Sequence, residues 1–133
     1  MIRSKLFIVA DRAIRDSDSG NLSIINILDD ISAEAFPVII PRLTIVGFVI
    51  KDSEDSDTPS LRFKLLNNEK TIGDHHIKVD FRGKNKTRAI IQLGGIPIPE
   101  PGELHFILTN EKEEEIDRYT INLRLREEIK VLS

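Results

Sequence analysis

The chain carries 133 residues, 40% of them hydrophobic and 31% charged, with a net charge of −3, one Tyr, no Trp and no Cys. Those proportions exclude a disordered chain, and the acidic balance speaks against a footprint on duplex nucleic acid, which needs a sustained excess of Lys and Arg. Without Cys there are no thiolate metal sites, Cys nucleophiles or disulfides, which leans toward a reducing, cytoplasmic setting.

Leu6 to Ile14 predicts the first strand, and its opening Leu6-Phe7-Ile8-Val9 is apolar on both faces, as a covered strand is. The apolar run stops at Asp11, too short for a signal-peptide core or a membrane span. Asp16 to Asn21 reads as a turn, and Leu22 to Ile31 as a second strand. Val38-Ile39-Ile40, bracketed by Pro37 and Pro41, predicts a connection across one end of the core rather than part of a ladder, because Pro has no N–H to give. Arg42 to Lys51 is apolar at nearly every position and predicts a central strand; the acidic loop Asp52 to Pro59 follows it.

Ser60 to Leu66 alternates cleanly, with Leu61, Phe63 and Leu65 inward and Arg62 and Lys64 outward. Beyond the turn at Asn67 to Lys70, Ile77, Val79 and Phe81 share one strand face, with Lys78 and Asp80 on the other. Arg82 to Lys86 is a basic turn containing Gly83, and Thr87 to Leu93 returns with Ala89, Ile91 and Leu93 inward. Gly94 to Pro99 is extended and unfit for an interior strand. The Pro101-Gly102 corner releases Leu104, Phe106 and Leu108, and Tyr119, Ile121, Leu123 and Leu125 come back beside them. Ile116 is out of phase with that last run, which calls for a bulge near Asp117 or for Ile116 on the opposite face. About eight short strands, evenly spaced turns and no helical period predict one domain over residues 1–133, an antiparallel β-sandwich.

Three pieces together resemble a family of small bacterial proteins of unknown function: Leu6-Phe7-Ile8-Val9-Ala10-Asp11-Arg12; the strand Leu22 to Asp29 leading through Phe36-Pro37 to Pro41; and the closing Pro101-Gly102-Glu103-Leu104-His105-Phe106. The resemblance runs from Leu6 to Leu125 and departs at Leu104, where the family pattern leads one to expect Tyr. It implies a cytosolic, immunoglobulin-like sandwich and brings no activity, cofactor or binding residue with it.

Four groups of residues compete as sites. His75 and His76, beside Asp74, are the right ligand types for zinc, although neighbours on a strand point to opposite faces and the plainer reading is a polar strand start. Asp52, Asp55 and Asp57 could offer oxygens to calcium, but the spacing misses the EF-hand pattern and a solvated acidic loop accounts for them. Arg82, Lys84, Lys86 and Arg88 form a basic hairpin end whose Gly83 and Asn85 would leave the backbone free to approach a phosphate. Ile129, Val131 and Leu132 form an apolar tail suited to a partner or a second copy. Nucleophile elbows, phosphate-cradling Gly-rich loops and His-Glu-x-x-His are all missing, so the expectation is a non-catalytic binding or assembly module without a cofactor. Its partner is expected to be a protein, a second copy included, rather than a membrane or nucleic acid. A metal- or anion-dependent site at a loop end is the alternative.

Overall fold

The computed structural model describes residues 1–126 and contains nine strands: β1 (Arg3–Arg15), β2 (Leu22–Ile27), β3 (Asp30–Ala33), β4 (Val38–Ile50), β5 (Ser60–Asn67), β6 (Lys70–Lys78), β7 (Lys86–Ile98), β8 (Gly102–Thr109) and β9 (Glu115–Leu125). They form a four-stranded sheet, β2-β1-β4-β7, and a five-stranded sheet, β3-β9-β8-β5-β6. Every pairing is antiparallel except β3 with β9. β1, β4 and β7 stand where strands A, B and E of an immunoglobulin-like sandwich stand, facing β9, β8 and β5 as G, F and C.

The alternation that predicted the strands also supplies the core. Phe7, Val9, Leu43, Ile45 and Val49 of one sheet meet Leu61, Phe63, Leu65, Leu104, Phe106, Leu108, Ile121 and Leu123 of the other, all buried in one cluster. Phe63 and Phe106 lie with ring centroids 6.1 Å apart in a tilted pair, a geometry the aromatic quadrupole favours. Ile116 falls at a bulge in β9, between Glu115 opposite Thr109 and Asp117 opposite Leu108, so the extra residue absorbs the phase slip seen in the sequence.

Three expectations are corrected. The run expected as one strand from Leu22 to Ile31 is two strands in different sheets. Asn26 takes a positive φ of 56° and the Leu28 N–H returns to the Val9 carbonyl, so the chain leaves the first sheet there and re-pairs in the second as β3. The Tyr119 hydroxyl donates to the Leu28 carbonyl at 2.7 Å across this crossing, and burial pushes its pKa up. Second, Val38 to Ile40 belongs to the ladder: β4 pairs with β7 from Val38 opposite Ile98 to Ile50 opposite Lys86, stepping over Pro41. Gly95 stands opposite that gap with φ 61°, a conformation that costs glycine little, so the missing donor is accommodated locally. Third, β6 ends at Lys78, yet Val79 and Phe81 beyond it remain buried.

β1 pairs with β4 only from Arg3 to Ala10; from Ala10 onward it pairs with β2. The β1–β2 hairpin then folds back over the outer face of the four-stranded sheet. Thr44 Oγ1 donates to the Asp11 carbonyl at the bend, and at the far end Arg88 Nη1 donates to the Gly20 carbonyl at 2.9 Å. This cover is why Thr44 and Val46, on the face away from the core, are fully buried.

Candidate functional site

Where the hairpin tip meets the β6–β7 turn, the fold leaves a cleft of about 950 Å³. Lys5, Arg15, Arg82, Lys84, Lys86 and Arg88 surround it over an apolar floor that includes Phe48, Phe81 and Ile90, and Asp80 is the one carboxylate among the described residues that line it. Each cation is placed by a local feature of the chain. Lys5 is the extra residue of a bulge in β1, between Ser4 opposite Val49 and Leu6 opposite Phe48, and bulges re-aim side chains. Arg88 is held by the Gly20 carbonyl and lies 5.8 Å over the Phe48 ring.

Arg82 has φ 53°, left-handed for a residue with a Cβ, and Gly83 follows with φ 76°. The Lys84 N–H closes this turn on the Phe81 carbonyl at 3.0 Å. Phe81, 1% exposed, anchors it in the core. Asp80 Oδ1 accepts the Arg82 N–H at 2.9 Å, and the Asp57 carboxylate accepts the Gly83 N–H at 3.0 and 2.9 Å. The Gly83 N–H that looked free for a phosphate is therefore occupied, and the positive charge around the cleft is carried by side chains.

The arginines of the cleft also differ from the other described arginines in their partners. Arg3, Arg12, Arg42, Arg62, Arg118, Arg124 and Arg126 each have a carboxylate within 4.0 Å. Among the described residues Arg15, Arg82 and Arg88 have none, and all three line the cleft. Among the described lysines only Lys51 has a carboxylate within 4.0 Å, so Lys5, Lys84 and Lys86 share their lack of a partner with the lysines outside the cleft.

The other candidates are spent on the fold or stand apart. Asp52 and Asp55 both accept the Met1 ammonium at 2.6 Å, which holds their carboxyls below the usual range, and Asp52 also pairs with Arg3. Asp57 clasps the Gly83 turn. His75 and His76 sit exposed at successive positions of β6, opposite Phe63 and Arg62 respectively, and so on opposite faces. Asp74 accepts two bonds from Arg62, at 2.7 and 2.6 Å, and this pairing keeps its carboxyl below the usual range. Among the described residues no three or more His, Asp or Glu side chains gather to hold a metal. Ile129, Val131 and Leu132 lie outside the described residues. Sequence reasoning reached four of the six cations; Lys5 and Arg15 it missed. The alternation slip at Lys5 was the available signal for one, and nothing local marked Arg15, which arrives only because the hairpin folds back.

A family model described as a family of unknown function, DUF6941, matches residues 5–124. The chain belongs to this family. The match spans the strand pieces that carried the resemblance, and the DUF6941 chain is all-β throughout its described residues. No curated protein matches it. Among solved structures it is similar to an immunoglobulin-like protein from Pseudomonas aeruginosa, at 9% identity and a TM-score of 0.43, over 93% of this chain and 97% of that one.

Proposed function

We propose that this DUF6941 domain is a non-catalytic binding module and that its ligand is anionic, received in the basic cleft beside the β6–β7 turn. The observation that carries the reading is the distribution of arginine partners: every described arginine outside the cleft has a carboxylate, and the three inside have none among the described residues. Like charges crowded around one concavity repel each other, and a bound anion relieves that repulsion. Arg82 adds support, since a left-handed, non-glycine residue is an unfavourable choice for the turn itself and tends to be kept where the side chain has a task.

Tripolyphosphate is a suitable probe because it presents dense charge without demanding a shape. A ligand that binds only the native state raises the melting temperature. Tripolyphosphate should raise that of the wild type by several degrees, less as sodium chloride is added, and should leave the Arg82→Gln/Lys84→Gln/Lys86→Gln variant unmoved. Equal shifts in the two proteins, or none in either, would contradict the reading.

A further inference from the structure

We propose that the cleft's ligand is an extended acidic segment of another protein, which adds as a strand to the free edge of β7. This rests on the anionic-ligand reading above and goes further, because it names the partner's chemistry and the way it docks.

Among the described residues β7 ends the four-stranded sheet and pairs with β4 alone. The Lys51 N–H donates to the Asn85 carbonyl at 2.8 Å, one step beyond the pair Ile50–Lys86. In an antiparallel ladder, directly bonded pairs alternate with unbonded ones, so this bond sets the phase. Thr87, Ala89 and Ile91 exchange bonds with β4, and the N–H and C=O groups of Lys86, Arg88, Ile90 and Gln92 turn to the open side. An unpaired edge of this kind is a template for a further strand.

The same stretch supplies the selectivity. Lys86, Arg88 and Ile90 line the cleft, while Ala89 and Ile91 are packed against the core at its rim. A strand laid beside them presents alternate side chains to these two faces. Carboxylates suit the face of Lys86 and Arg88, and small aliphatic side chains suit the face of Ala89 and Ile91. Beyond Leu93 the extended edge is interrupted, because Gly95 is left-handed. The docking stretch is therefore Lys86 to Leu93.

The cations also decide against other occupants. Two copies of this edge would set Lys86 and Arg88 against their own kind. The acidic β8–β9 turn of a second copy is a poor substitute, since Glu113 and Glu115 already pair with Arg62 and Arg118 and Glu111 caps the Ser60 N–H. A free phosphate would leave the edge donors unused.

The test uses a fluorescein-labelled octapeptide of alternating Glu and Val, the same peptide with Lys for Glu, and the Glu–Val peptide with alternate backbone nitrogens methylated, which keeps the charge and removes the strand-pairing donors. In fluorescence anisotropy the Glu–Val peptide should bind the wild-type protein, and both the Lys and the N-methylated peptides should bind at least about tenfold more weakly. The amides of Arg88 and Ile90 should exchange more slowly with the Glu–Val peptide bound. Gln92→Pro removes one edge donor outside the cleft lining, at a site where an edge strand tolerates proline, so it should weaken the Glu–Val peptide by about tenfold and leave the tripolyphosphate shift in place. If the N-methylated peptide binds equally well, strand addition is overturned and the anionic reading stands. If tripolyphosphate binds and the Glu–Val peptide does not, the acidic-strand partner is overturned. If neither binds, both readings fall.

Discussion

The β8–β9 turn and the β6–β7 turn are both short, exposed and crowded with like charge, yet their side chains are occupied in opposite ways. At the acidic turn Glu111 caps the Ser60 N–H at 3.0 Å, Glu113 meets Arg62 at 2.6 Å, and Glu115 meets Arg118 at 2.8 Å. At the basic turn the carboxylates nearby, Asp57 and Asp80, hold backbone N–H groups, and no carboxylate of the described residues pairs with Arg82, Lys84, Lys86 or Arg88. Both turns contain a left-handed residue with a side chain, Glu113 at φ 62° and Arg82 at φ 53°. The first has an internal partner to face; the second faces a cleft. Charge density alone therefore does not separate a surface that finishes the fold from one that is left for a ligand. The partners of each charge do.

If neither turn carries the fold, the largest loss must come from between them. Phe106 is fully buried against Phe63, and Phe106→Ala should cost about 3–5 kcal/mol in urea melts. A loss below about 1 kcal/mol would mean that the sheets are held together elsewhere.

Removing Arg62 should disturb the acidic side next. Asp74 is held below the usual carboxylate range chiefly by its hydrogen bonds to Arg62. Its folded value lies under the unfolded one, so the stabilisation it brings is complete above the unfolded value, near ~3.9, and is lost as the pH falls through the lower folded value. In Arg62→Gln the Asp74 titration followed by NMR should move up into the ordinary range, and the acid limb of the stability curve should lose that contribution. An unmoved Asp74 would show that the pair is not formed in solution.

Substitutions at the basic turn should have the smallest effect on folding. Lys84→Gln with Lys86→Gln should change stability by no more than about 0.5 kcal/mol. Arg82→Gly should go slightly the other way, since glycine takes the left-handed conformation without a Cβ penalty, and should weaken tripolyphosphate binding at the same time. A clear destabilisation by Arg82→Gly would make Arg82 a fold residue and erase the contrast between the two turns.

The sandwich was legible because period-two alternation is set by strand geometry: Leu61, Phe63 and Leu65, or Leu104, Phe106 and Leu108, have no other way to share a face. The bulge at Ile116 was legible for the same reason. Four of the six cations of the site were legible too, since Arg82 to Arg88 is contiguous in sequence. What the chain did not disclose depends on distant partners. Asp52 and Asp57 look alike in a list of loop acids, but one meets the Met1 ammonium and the other clasps Gly83. Arg15 reaches the cleft only because the β1–β2 hairpin folds over the sheet, and Val38 to Ile40 enters the ladder only because Gly95 lies opposite the Pro41 gap.

The contrast between the two turns is tested most directly by following every backbone amide in NMR while tripolyphosphate is added at low salt. Saturable shifts confined to Lys5, Gly20 and the stretch from Arg82 to Arg88 are expected, with Glu111 to Glu115 unmoved, and they should disappear in the Arg82→Gln/Lys84→Gln/Lys86→Gln variant. Small, unsaturable shifts spread over lysines across the surface would contradict that contrast, and would make the basic turn a solvated end like any other.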